Sequence, residues 1–187
     1  MLCAVDLAAK FSAACLVDDS GNVTDEWHSW GFSPSEWIET FGLLFGVWSS
    51  EVPEVLVIED VPFGVGQTKT VRDVYRLQGK ILQRLGNHAN KVVWIPPMLW
   101  QMHWKPQGMK SGDKKAAKRI ASEIYGYEPP ELLHQDLHGQ DRVHARKTME
   151  DHIDAFMIGR YMTEISVQYG SIDSAIEAIP RLERYSD

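Results

Sequence analysis

Short apolar runs separated by turn chemistry dominate the first part of the chain. Met1 to Leu7 is apolar except for Asp6 and reads as a strand, and Ser12 to Val17 reads as a second. Asp18-Asp19-Ser20-Gly21-Asn22 is a turn leading to a third strand near Val23 to Trp30, so these three form an antiparallel meander. Ser33-Pro34 then opens a helix, with Ser as cap, Pro at the first helical position and Glu36 three residues after the cap; it is expected to run to about Ser49. Glu54 to Glu59 is a short β-branched strand of the kind buried on both faces. After Phe63-Gly64-Val65-Gly66, the positions Val71, Val74, Leu77, Ile81 and Leu85 keep helical spacing and predict a helix over about Thr70 to Leu85. Lys91 to Ile95 is a fifth strand, stopped by Pro96-Pro97. A Trp-rich element and a helix over about Asp113 to Tyr125 follow, with Ala117, Ile120 and Ile124 inward.

The stretch from Tyr127 to Lys147 is polar, contains Pro129-Pro130 and reads as an irregular excursion; a long helix is expected from about Met149 to Gln168, with a short one after it. Hairpin-linked strands followed by strand–helix alternation predict an α/β domain, with helices packed on a mixed sheet in which the fourth and fifth strands run parallel. No repeat, linker or low-complexity segment divides the chain, so residues 1–187 are read as one domain.

Composition narrows the class. Hydrophobic residues at 44% and charged residues at 24% describe a folded chain of 187 residues, long enough for a core without staples. No apolar run reaches the length of a membrane helix, and Asp6 within the N-terminal apolar stretch does not suit a signal peptide. Cys3 and Cys15 cannot form a disulfide framework and are expected as reduced, buried thiols; a cytoplasmic location, without membrane partners, is the expectation.

The net charge of −7 argues against a nucleic-acid partner until its distribution is examined. Residues 69–84 hold five basic residues against Asp73, and residues 105–119 hold six against Asp113, in an otherwise acidic chain. Arg72, Arg76, Lys80 and Arg84 recur every four residues, which is also what a solvated helix face looks like. Lys110, Lys114, Lys115, Lys118 and Arg119 are denser and suit phosphate contact. Trp94, Trp100 and Trp104 are expected in the core rather than as base-stacking platforms. His134, His138 and His144 lack the cysteines that would make a zinc spacing specific.

Four carboxylates sit where a charge is costly. Asp6 interrupts one apolar strand and Glu59 ends another, while Asp151 and Asp154 lie three residues apart, in what is expected to be the first turn of the last long helix, with Thr148 as its cap. Each has an ordinary reading alone: an edge-strand Asp in water, a strand end meeting solvent, acids that suit a helix N-terminus. Together, with the first and fourth strands adjacent, they can form an oxygen-ligand cage for Mg²⁺ or Mn²⁺.

The order of these residues resembles that of RuvC-type Holliday junction resolvases of the RNase H-like superfamily, in particular a phage-type member. The resemblance rests on Asp6 in AVDL, Glu59 in VLVIED, Asp151 with Asp154 in EDHIDAFMIGRYM, Leu77-Gln78-Gly79-Lys80, and the lysine helix after Ser111-Gly112. It spans about residues 1–165 as order and spacing rather than identity. It implies a five-stranded mixed sheet flanked by helices, two divalent ions (Mg²⁺ or Mn²⁺) held by Asp6, Glu59, Asp151 and Asp154 as catalytic residues, and a homodimer that nicks a four-way DNA junction. It also implies that the helix over about 70–85 lies near the subunit interface, where Gly79 permits close packing, and a base-stacking counterpart in Phe63; Arg72, Arg76 and Lys80 are expected as further DNA contacts. A phage-encoded protein would act in the host cytoplasm. The pattern departs from the family after Asp6, where Leu7-Ala8-Ala9-Lys10 replaces a Gly-containing turn, and at 127–147, which reads as an insertion. Two other functions fit the same residues: a nuclease of RNA–DNA hybrids or flaps, and a junction-binding protein without catalysis.

Overall fold

The structure, a computed structural model, describes residues 1–7, 11–30, 54–60, 75–76, 78–79, 91–130, 140–179 and 183–184. The expected helix at 33–49, most of that at 70–85, and Phe63, Arg72, Lys80, Arg84, His134 and His138 lie outside the described residues.

A twisted sheet carries the fold. Strands β1 (Leu2–Asp6), β2 (Phe11–Val17) and β3 (Val23–Trp30) form the expected meander, and β4 (Val55–Glu59) and β5 (Lys91–Ile95) extend it on the other side of β1. The strand order is β3-β2-β1-β4-β5-β6; β1, β4 and β5 are parallel neighbours, and the remaining pairings are antiparallel. Beyond the five expected strands, the two-residue β6 (Glu183–Arg184) pairs along β5. So short and charged a segment carries no strand signal of its own.

Turn chemistry holds the β2–β3 hairpin. Asp18 Oδ1 accepts the backbone N–H groups of Ser20 and Asn22 at 2.9 and 2.8 Å. Gly21 adopts φ 84°, where an L side chain is strained, and its Cα faces the Arg160 guanidinium so closely that a Cβ would collide with it.

Four α-helices with defined bounds pack with the sheet: α1 (Pro97–His103), α2 (Lys114–Tyr125), α3 (Gln140–Tyr169) and α4 (Ile172–Ala178). The start of α2 is set by Asp113, whose side chain accepts from Ala116 N, and its end by Gly126 at φ 65°. Helix α3 lies across β1, β2, β3 and β4. Leu2, Ala4, Val55 and Val57, alternate residues of β1 and β4, share one core with Ile153, Phe156 and Met157 of α3. Gly159 lets the helix approach the sheet: a Cβ there would lie 2.7 Å from Val17 Cγ2 and 3.2 Å from Ala4 Cβ. Cys3, Val5, Leu56 and Ile58 on the other face are also buried, as a strand pair apolar on both sides requires. Cys3 and Cys15 are free and buried. Trp100 and Trp104 are core residues as expected, and Trp94 is half-buried. No helix among the described residues is long and apolar enough to cross a membrane.

One expectation fails at α3. The helix begins at Gln140, so residues 140–147 are helical rather than irregular. This first part has no apolar stripe; its one large apolar residue, Val143, is 53% exposed. A solvated helical extension carries no core periodicity, which is why the pattern hides it. The start of the excursion is ordered too: Tyr127 is buried and stacks on Phe156 with ring centroids 4.2 Å apart.

Candidate active site

Asp6 and Glu59 end neighbouring parallel strands. The register pairs Val5 with Ile58, so the next residues of the two strands lie side by side at the carboxyl edge. Both follow core residues by two positions and therefore point to the α3 face. There α3 brings Asp151 and Asp154. They stand roughly three turns inside the helix, not in its first turn. Thr148 is a buried residue within the helix, not its cap. The preference of helix N-termini for acids therefore does not explain this pair. Asp6 and Asp154 are 7% and 4% exposed, values at which an unpaired carboxylate is costly.

The electrostatics reflect that crowding. Burial pushes the Glu59 carboxyl up to about 8, with the neighbouring charge of Asp6 adding to the rise. Burial raises Asp6 as well, and it pushes Asp151 to about 7, with Asp6 again contributing. Trp100 Nε1 donates to Glu59 Oε1 at 2.9 Å and fixes that carboxylate from α1. The Trp-rich segment reads as core from its sequence, and nothing in it marks the indole as a partner of a strand-end glutamate.

Lys114 departs most from expectation. It does not simply join an outward basic patch: its Nζ donates to Asp154 Oδ2, and its charge favours the ionised forms of Asp6, Glu59 and Asp151. Lys147 acts on Asp6 and Asp151 in the same sense. Lys110, Lys115, Lys118 and Arg119 are exposed as expected, the last joined to the Gln107 carbonyl and to Glu123 at 3.5 Å. Arg76 is exposed and helical. The side chain of His144 lies outside the described residues.

The donor set suits a hard divalent cation. All four groups are carboxylates, and Asp151 Oδ2 and Asp154 Oδ1 are buried with no hydrogen-bond partner among the described residues. In this arrangement, among the described residues, no group of three or more acidic, His or Cys side chains is drawn close enough to hold an ion, and an ammonium stands among the carboxylates instead.

Two partly buried networks tie α3 to its neighbours. His152 Nδ1 lies 3.3 Å from Glu26 Oε2 on β3, and Tyr127 Oη donates to the same oxygen at 2.7 Å. Further along, Glu164 receives Tyr125 Oη at 2.9 Å, Arg160 Nε at 3.0 Å and His103 Nε2 at 3.0 Å, joining α1, α2 and α3. The i,i+4 pair Arg160–Glu164 is local, but the contacts that join it to His103 and Tyr125, and those of Glu26 with Tyr127 and His152, link residues far apart along the chain and escape a reading of the sequence.

A mixed sheet in this order, flanked by helices, has the RNase H-like fold. The fold is that of RuvC. RuvC of Thermus thermophilus, in complex with Holliday junction substrate, matches with a TM-score of 0.60 over 98% of this chain and 98% of that one, at 10% sequence identity. A second structure of Thermus thermophilus RuvC gives 0.57 over 98% and 99%, at 13% identity. Fowlpox virus Holliday junction resolvase matches at 0.47 over 87% and 97%, at 16% identity. No family model and no curated protein matches the sequence.

Proposed function

We propose that this protein is a metal-dependent, structure-selective endonuclease that resolves four-way DNA junctions. The observation that carries the reading is the gathering of Asp6, Glu59, Asp151 and Asp154 from β1, β4 and α3 at one end of a RuvC-like sheet, two of them with a buried oxygen that nothing described satisfies. In it, Asp6, Glu59 and Asp154 are the principal ligands for Mg²⁺ or Mn²⁺, two ions per site, and Asp151 completes the set. Ions held there supply a water nucleophile at neutral pH and charge stabilisation for the departing phosphodiester oxygen. The chain's own residues do the rest. Trp100 orients Glu59, the core around Ile153 and Phe156 holds the two helix aspartates, and Lys110, Lys115, Lys118 and Arg119 offer positive charge to the backbone phosphates. A four-way junction presents two equivalent strands, and the reading includes a homodimer that places one site on each. Arg72, Arg76 and Lys80, with Phe63 for base stacking, are proposed as further DNA contacts.

The test is cleavage of end-labelled four-way, three-way, forked and linear duplex DNA with Mg²⁺, Mn²⁺ or Ca²⁺, with wild type beside Asp6→Asn. Paired symmetric nicks in the four-way junction, present with Mg²⁺ or Mn²⁺ and lost below detection in the variant, are expected, with junction binding retained. Cleavage of flaps or of an added RNA–DNA hybrid in preference to the junction would replace this reading with that of an RNase H-like nuclease. Tight junction binding without cleavage would make the protein a silent junction binder.

A further inference from the structure

Lys114 is the first residue of α2, directly after the cap Asp113. Its side chain is 46% exposed, whereas that of its partner Asp154 is 5% exposed. The stem crosses open surface, and the ammonium meets a carboxylate sunk in the site. A single positive charge meets Asp154 through one oxygen only, leaving Oδ1 of Asp154 and Oδ2 of Asp151 without a partner among the described residues. Removing the ammonium with nothing in its place would strand a buried negative charge, which is strongly unfavourable, so the lysine leaves only when a proton or another cation takes its place. The same segment supplies an alternative partner. Lys110, Lys115 and Lys118 are exposed around Lys114, so a phosphate backbone drawn to them passes within reach of a flexible lysine stem.

We propose that Lys114 is a tethered placeholder for the divalent ion: its ammonium holds Asp154 in the free protein and transfers to a DNA phosphate on binding, so that substrate engagement loads the site with metal. This inference rests on the nuclease reading and adds its regulation. Two cations compete for one carboxylate, and the DNA decides between them by giving the lysine a second anion. Metal loading and DNA binding are therefore coupled, and each strengthens the other by the same factor. Without DNA the site is partly neutralised from within, which weakens its hold on free ions.

The experiment measures Mn²⁺ affinity of the full chain by titration calorimetry, with and without a cleavage-resistant four-way junction, for wild type, Lys114→Met and Lys114→Arg. Lys114→Met removes the charge and keeps the stem; without DNA it is expected to bind Mn²⁺ about tenfold more tightly than wild type. The junction should raise wild-type affinity by a clearly larger factor than it raises that of Lys114→Met, and Lys114→Arg should keep the wild-type pattern. A second measurement uses the unaltered protein: acetylation of Lys114, read by mass spectrometry against Lys118, should rise when Mn²⁺ alone is added. If Lys114→Met binds Mn²⁺ no more tightly than wild type, or Lys114 labelling is indifferent to Mn²⁺, the placeholder role is overturned while the nuclease reading stands. If no form binds Mn²⁺ with or without the junction, both fall.

Discussion

Glu164 shows how a single carboxylate is tuned by what surrounds it. Burial on its own would raise its pKa; hydrogen bonds from His103, Tyr125 and Arg160 outweigh burial and hold it below the ordinary value of 4.5. A carboxyl whose native value is depressed stabilises the fold above its unfolded value, and that contribution is lost as the pH falls through the lower native value. Glu164→Gln is therefore expected to cost about 1–2 kcal/mol at neutral pH, from weaker hydrogen bonds to a neutral amide. The gap from wild type should close as the pH drops below 4.5, read by urea unfolding across pH. A gap of constant size would mean that the residue contributes shape and not charge. At this scale the sequence was informative only where a residue contradicts its surroundings. Asp6 and Glu59 stood out because a carboxylate in an apolar strand is costly, and the structure places them side by side. Lys114 did not stand out, because among neighbouring lysines its attachment to Asp154, forty residues away, leaves no local mark.

Helix α3 is the element on which the site depends, since it carries both aspartates across the sheet. Its approach is limited by Gly159, where an added methyl group would press on Val17 Cγ2, a branched side chain buried in β2. Alanine favours a helix by about 1 kcal/mol over glycine, but forcing a methyl group into a packed contact costs about 1–3 kcal/mol. Gly159→Ala is expected to be destabilising by about 1 kcal/mol or more in denaturant unfolding, and Val17→Ala in the same chain should recover part of the loss. Additive losses would show that the two residues do not press on one another. The core of α3 was legible from its apolar spacing after Met149. Its start was not, because Gln140 to Lys147 is a solvated helix whose pattern serves no core. That shifted Asp151 and Asp154 from a helix end to its interior, and removed the ordinary explanation for them.

Over the whole molecule, an acidic chain concentrates positive charge at 69–84 and 105–119, and the second segment lies wholly within the described residues. Lys115 and Lys118 are exposed on α2 beside the carboxylate cluster, whereas Lys114 turns into it. Lys115→Glu with Lys118→Glu should weaken junction binding and flatten its dependence on salt by about one to two units of logarithmic slope. An unchanged slope, measured by fluorescence anisotropy across salt concentrations, would remove this face from the DNA interface. Lys114→Met is expected to behave differently from the pair, with its main effect on metal affinity.

Local pattern alone predicts the meander, the two parallel strands, the buried thiols and the tryptophan core at Trp100 and Trp104, all of which the structure contains, and it singles out four candidate carboxylates. Each of these is written locally, in alternation, β-branching, turn residues or a charge among apolar neighbours. Long-range packing settled which residues meet. It set Trp100 on Glu59 and Lys114 on Asp154, joined His152 to Glu26, and brought His103 and Tyr125 to Glu164 from two other helices. Such contacts depend on where α1, α2 and α3 pack against the sheet. That packing comes from apolar burial summed over the core, and no short stretch of chain encodes it.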